Sequence, residues 1–214
     1  MTFWKLLFTG LLVAAAFVLA MLRQAPAYWF AVAALVFSWL GDATLAGFEP
    51  LTRMMKEPSL WGLGFFAVAH LCYIVAFTLY LKAWPRDGWR TSVMLAAFAA
   101  AGIVLWLLVC WRSSQPVQLR FASLAYSLLL FVMCCLAWAC AVRLDGFVWP
   151  LALGGVLFVL SDGMIAFEWF RDWRYSWQPI AVWATYAPAQ LLLLIGMWML
   201  RTPDVSSVAN VIGL

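Results

Sequence analysis

Two aspartates, Asp42 and Asp162, stand in stretches otherwise apolar enough to cross a bilayer. An ionised carboxylate in the hydrocarbon region is costly, by about 3 kcal/mol on insertion scales, so a chain that keeps two has a use or a partner for them. Paired carboxylates in a desolvated site can divide acid and base roles: one holds and donates a proton while the other stays ionised. Polar residues accompany them at helical spacing. Ser38 precedes Asp42 by four residues, Ser161 adjoins Asp162, His70 and Tyr73 are three apart, Tyr186 and Gln190 are four apart, and Tyr126 stands alone. Spacings of three and four place such pairs on one helix face.

The elements that must carry these residues are membrane helices. The chain has 214 residues, of which 67% are apolar and 10% charged, and its mean hydropathy is +0.97; a soluble domain does not have this composition. Apolar runs of about 20 residues between charged, Pro-rich or Gly-rich breaks predict spans over 3–22, 27–48, 60–82, 92–111, 119–142, 148–170 and 179–200. The expected fold is an all-α integral membrane protein, a single bundle of seven transmembrane helices. It makes one polytopic domain over 1–201, followed by a short interfacial or frayed tail over 202–214.

Depth then connects the polar residues. Consecutive spans alternate direction, and Asp42 lies seven residues before Glu49 while Asp162 lies nine before Arg171, so both acids are expected at similar depth on the side of the N-terminus. Helices three, five and seven enter from that side, and His70, Tyr126, Tyr186 and Gln190 lie about 10 to 18 Å inward along them. Six residues from five helices are expected to line one cavity opening toward that leaflet. Glu168, six residues beyond Asp162, falls on another helix face nearer the interface and is expected to be solvated surface.

The remaining features narrow the function class. Lys5, Arg53, Lys56, Arg112, Arg120, Arg171 and Arg174 on one side nearly balance Arg23, Lys82, Arg86, Arg90, Arg143 and Arg201 on the other, so positive charge does not orient the chain. The net charge of +4 is spread over short loops, which suits anionic lipid headgroups and excludes a clustered nucleic-acid face. Many of the fifteen tryptophans lie near span ends, as interfacial anchors do. The five cysteines form no CxxC pair and read as packing residues. His70 is the sole histidine, so a three-histidine zinc site cannot be assembled; a mixed His and carboxylate site is the one metal option, and no metal or cofactor is expected. The first span followed by Ala25-Pro26-Ala27 superficially resembles a secretory signal, but Arg23 occupies the region that should be small and neutral, so this span is expected to be retained.

Five motifs together resemble the YhhN-like lysoplasmalogenases. They are Ser38-Trp39-Leu40-Gly41-Asp42, then Gly64 through Ala69-His70-Leu71-Cys72-Tyr73, then Tyr126, then Gly154-Gly155 through Ser161-Asp162, and finally Tyr186 to Gln190. The resemblance implies a multi-span hydrolase of the vinyl ether bond of lysoplasmalogens, in which Asp42 and Asp162 are the catalytic pair with His70, Tyr126 and Gln190 around them. Typical relatives have eight spans and a Lys-Pro near the start of an early helix, where this chain has seven and Lys5 followed by Leu6. The substrate class implied is an alkenyl glycerophosphoethanolamine or glycerophosphocholine, with Ser38, Tyr73, Ser161, Tyr186 and Lys5 completing the substrate-binding set.

That chemistry suits the residues. A vinyl ether is stable to base and is hydrolysed by acid, through protonation of its outer alkene carbon to an oxocarbenium ion. One Asp is expected to donate that proton and the other to stabilise the cation and guide water, with the substrate phosphate near basic residues at the mouth: Lys5, Arg53, Lys56 or Arg171. Its partners are then the lysophospholipid and membrane lipids, and its place a multi-pass membrane location, the inner membrane in a bacterium. A proton-coupled transporter using the same carboxylates as a relay is the alternative. A non-enzymatic lipid-binding factor ranks below both.

Overall fold

The computed structural model describes residues 2–53, 55–82, 88–143 and 148–200. The expected tail over 202–214 and the connecting charges Arg86 and Asp87 lie outside them. Every described regular element is helical: α1 (Thr2–Arg23), α2 (Pro26–Leu45), α3 (Glu49–Thr52), α4 (Pro58–Lys82), α5 (Gly88–Val109), α6 (Val117–Arg143), α7 (Trp149–Arg171) and α8 (Gln178–Met199). All but the four-residue α3 are long and apolar enough to cross a membrane. This is a multi-pass integral membrane protein.

Local chemistry sets the helix ends. Proline stands in the first turn of α2, α7 and α8, where its missing N–H leaves no intrahelical bond unmade. The second span ends three residues sooner than its apolar run suggests. Gly47 has φ 72, and the N–H groups of Gly47 and Phe48 return to the carbonyls of Thr44 and Ala43 at 3.1 and 3.0 Å, closing α2 as a Schellman motif. The chain then winds into α3, which hydropathy did not anticipate. The fourth span also starts earlier than expected, at Gly88 where the apolar run begins at 92.

Six long helices form a closed ring in the order α1, α2, α4, α6, α7, α8, returning to α1. α5 stands outside that ring and packs mainly on α6, with a lighter contact to α7. Lipid is as apolar as a leucine side chain, so hydrophobicity does not hold such helices together; close backbone approach does. Accordingly Ala34, Ala69, Ala76, Ala137 and Ala189 are fully buried between helices. A Cβ on Gly154 would lie 3.0 Å from the carbonyl oxygen of Ala189, and one on Gly196 would lie 2.5 Å from Leu151 Cγ, which is how closely α7 and α8 approach. α5 is fastened by polar contacts. Trp106 Nε1 donates to the carbonyl of Arg120 at 2.8 Å, and Arg171 donates to the carbonyl of Leu108.

Candidate active site

The two aspartates open onto one cavity. It has a volume of about 480 Å3, and Asp42, Tyr126, Asp162 and Tyr186 all line it. Its outer part is bounded by Leu45, Ser59, Cys110, Glu168 and Gln178, which come from helix ends that all lie on the side of the N-terminus. Both acids therefore share one cavity, and it opens toward the leaflet on that side.

Each carboxylate terminates its own hydrogen-bonded chain. On one side Tyr73 of α4 donates to Gln190 Oε1 at 2.8 Å. The Gln190 amide donates to the Tyr186 oxygen at 3.3 Å, and the Tyr186 hydroxyl donates to Asp42 Oδ2 at 2.9 Å. On the other side the Tyr126 hydroxyl donates to Asp162 Oδ2, and His70 Nε2 lies 3.0 Å from that hydroxyl and 3.8 Å from the carboxylate. With the Tyr126 proton given to Asp162, the hydrogen between His70 and Tyr126 comes from Nε2, which agrees with Nδ1 having no partner. The two chains are separated by packed aromatic rings. Phe158 meets His70 at 4.9 Å and Tyr186 at 5.5 Å between centroids, and Phe66 meets Tyr186 at 5.9 Å. Gly41 makes room for Phe66, since a Cβ there would fall 2.6 Å from its ring.

Four of the six residues expected to line the cavity do so. His70 and Gln190 do not; both are fully buried behind the wall and act on the tyrosines in front of them. Tyr73 is likewise buried, one residue further back along its chain. Ser161 lines the cavity, with its hydroxyl 3.4 Å from the carbonyl of Val182. Ser38 is fully buried away from the cavity, and its hydroxyl has no partner. Sharing a helix face with Asp42 did not suffice: one turn carries Ser38 about 6 Å further along α2, where it is enclosed by packed helices and does not border the cavity.

Lys5 also lines the cavity, with its ammonium 5.3 Å from the centre of the Trp183 ring. It and Thr9, one turn further along α1, make up the α1 side of the surroundings of Asp42. Thr9 was not anticipated, though its spacing of four from Lys5 is the signal that could have found it. Arg53, Lys56 and Arg171 do not line the cavity: Arg53 pairs with Glu49 at 2.8 Å and Arg171 is spent on α5. Glu168, expected to be solvated surface, lines the cavity and receives a hydrogen bond from the buried Gln178 amide at 2.9 Å. Ile165, Ala166, Glu168, Trp169 and Phe170 all border the cavity along the last turns of α7, so a face that points away from Asp162 in projection still lines it. Among the described residues no three His, Cys, Asp or Glu side chains come together as a metal site would need.

The YhhN family model matches residues 1–197, nearly the whole chain. The chain belongs to the YhhN family. Its relatives include a protein of Mycobacterium tuberculosis named lysoplasmalogenase, 31% identical over 175 residues, which are 81% of this chain and 62% of that protein. Lysoplasmalogenase TMEM86B of Sus scrofa is 33% identical over 164 residues, 77% of this chain and 61% of that protein, and TMEM86B of Mus musculus is 29% identical over 179 residues, 84% and 67% respectively. The matched stretch thus spans about three fifths of the first of these relatives' length. No solved structure matches the chain significantly. The YhhN assignment agrees with the family resemblance of the Asp42, His70 and Asp162 motifs.

Proposed function

We propose that this YhhN-family protein is a lysoplasmalogenase, hydrolysing the vinyl ether of a 1-alkenyl glycerophospholipid with Asp42 and Asp162. The observation that carries the reading is that both carboxylates, each held by a tyrosine hydroxyl, border one cavity that opens to a single leaflet. A single-chain lipid enters such a site with its tail among apolar helices and its headgroup at the membrane surface. The relatives named lysoplasmalogenase support the substrate class.

One carboxylic acid of the pair delivers its proton to the outer alkene carbon, and the other, ionised, stabilises the oxocarbenium ion that results. Water adds to the cationic carbon and gives up a proton to the site. The hemiacetal then breaks its bond to the glycerol oxygen, releasing a fatty aldehyde and a glycerophospho-alcohol, so that one water is consumed and no proton is lost overall. The tyrosines hold the carboxylate oxygens toward the cavity, and Gln190 and His70 hold the tyrosines. Lys5, the one cation bordering the cavity among the described residues, takes the phosphate.

A transporter with the same carboxylates would need a path to the opposite side. Every described residue that lines the cavity lies in the half of its helix nearer the N-terminal side or within one residue of its midpoint, which favours the enzyme. The deciding experiment is aldehyde release from lysoplasmenyl-ethanolamine and lysoplasmenyl-choline by the purified protein and by Asp42→Asn and Asp162→Asn. Release by the parent and its loss in both variants is expected; parent-like rates in both variants would remove the mechanism.

A further inference from the structure

We infer that Glu168 reads the headgroup of the lipid, its carboxylate taking the alkylammonium group while Lys5 takes the phosphate; this rests on the lysolipid reading of the cavity. Apart from the two aspartates, Glu168 is the sole acidic side chain bordering the cavity among the described residues. It is only partly exposed, its side chain retaining 34%, and it is held rather than free. Gln178 is itself 3% exposed, and its side-chain amide donates at once to Glu168 Oε2 at 2.9 Å and to the carbonyl of Met164 at 3.1 Å. A buried amide anchored at the start of α8 thus fixes one oxygen of a carboxylate at the end of α7. Trp106 and Trp169 border the same outer part of the cavity, and aromatic rings attract cations.

The spacing fits the lipid. Six residues of helix put Glu168 about 9 Å nearer the mouth than Asp162. Ten bonds separate the vinyl carbon that bears the ether oxygen from the headgroup nitrogen of a phosphoethanolamine lipid, a reach of about 12 Å when extended and less when the phosphodiester is bent. With the alkene between the aspartates, the phosphate falls near Lys5 and the ammonium near Glu168. Arg174 competes for Glu168, its Nε 3.4 Å from Oε1, but its side chain is 71% exposed, so water screens the pair and little holds it there.

The test compares two saturated ether lipids that cannot be hydrolysed, 1-alkyl-glycerophosphoethanolamine and 1-alkyl-glycerol 3-phosphate, by equilibrium binding to the full chain in detergent. Glu168→Gln keeps the shape and the Gln178 contact while removing the charge. It is expected to weaken the phosphoethanolamine lipid about 10-fold, as loss of a charge-assisted hydrogen bond does, and to leave the phosphate lipid within about twofold. Arg174→Ala is expected to tighten the phosphoethanolamine lipid. In turnover, Glu168→Gln is expected to raise KM for lysoplasmenyl-ethanolamine with kcat retained. Equal weakening of both lipids, or of neither, overturns the assignment. Because neither probe carries a vinyl group, absence of aldehyde release by the parent protein would strike the proposed reaction and leave the binding result to decide Glu168 separately.

Discussion

The Tyr186 hydroxyl donates to Asp42 Oδ2 at 2.9 Å across 144 positions of chain, so the last spanning helix holds the carboxylate of the second. Tyr186 is itself held by Gln190 and, through it, by Tyr73. Tyr186→Phe keeps the ring that packs on Phe66 and Phe158 and removes only the donor. Loss of a hydrogen bond to a charged group is worth about 1.5 to 3 kcal/mol, so aldehyde release is expected to fall about 10- to 100-fold and the melting temperature to drop by several degrees. Parent-like turnover would show that Asp42 does not depend on this hydroxyl.

Asp42→Asn and Asp162→Asn remove the proton donor or the charge that stabilises the cation. General acid and base groups contribute about 100- to 10,000-fold, and each variant is expected to lose at least the lower figure. The measurement is initial aldehyde release, with thermal stability in detergent recorded beside it to separate chemistry from folding.

Protonation at carbon leaves an isotopic record. In heavy water the fatty aldehyde is expected to carry one deuterium on the carbon next to the carbonyl, and in water labelled with oxygen-18 the released glycerophospho-alcohol is expected to stay unlabelled. Mass spectrometry of both products reads the outcome. Label in the alcohol would mean that the other carbon–oxygen bond breaks.

His70→Gln tests the second chain. His70 is fully buried and touches Asp162 only through Tyr126 at hydrogen-bond distance, so it is a positioning residue. Glutamine can supply an N–H to the Tyr126 oxygen, and His70→Gln is expected to retain more activity than His70→Ala, each falling less than Asp162→Asn. An ordering in which His70→Gln is as inactive as Asp162→Asn would assign the imidazole a more direct part.

Gly154→Leu addresses the frame. A Cβ at Gly154 already meets the Ala189 carbonyl oxygen and the Leu193 backbone nitrogen at 3.0 Å, and the larger side chain must drive α7 from α8 near Gln190. Overpacking of this kind costs about 1 to 3 kcal/mol. A lowered melting temperature together with reduced turnover is expected; an unchanged melting temperature would mean that the two helices can separate freely.

By itself the amino-acid sequence determined the class and the seven spans, and it singled out the two acids within them. Insertion into hydrocarbon depends on runs of apolar side chains, helical rise converts residue number into depth, and charges buried in such runs stand out because they are costly there. The same arithmetic identified Asp42, Asp162, Tyr126 and Tyr186 as neighbours in one layer. It could not say which way each side chain turns around its helix axis, since that depends on which helices are adjacent, and ring order is a property of packing. Only the tertiary structure put His70, Gln190 and Tyr73 behind the cavity wall as supports, left Ser38 away from it, and brought Thr9 beside Asp42. Glu168 shows the limit most clearly. A helical projection turns it away from Asp162, yet the end of α7 and the buried amide of Gln178 bring its carboxylate to the mouth of the cavity, because contact is decided by the neighbouring helix and not by the helix that bears the residue.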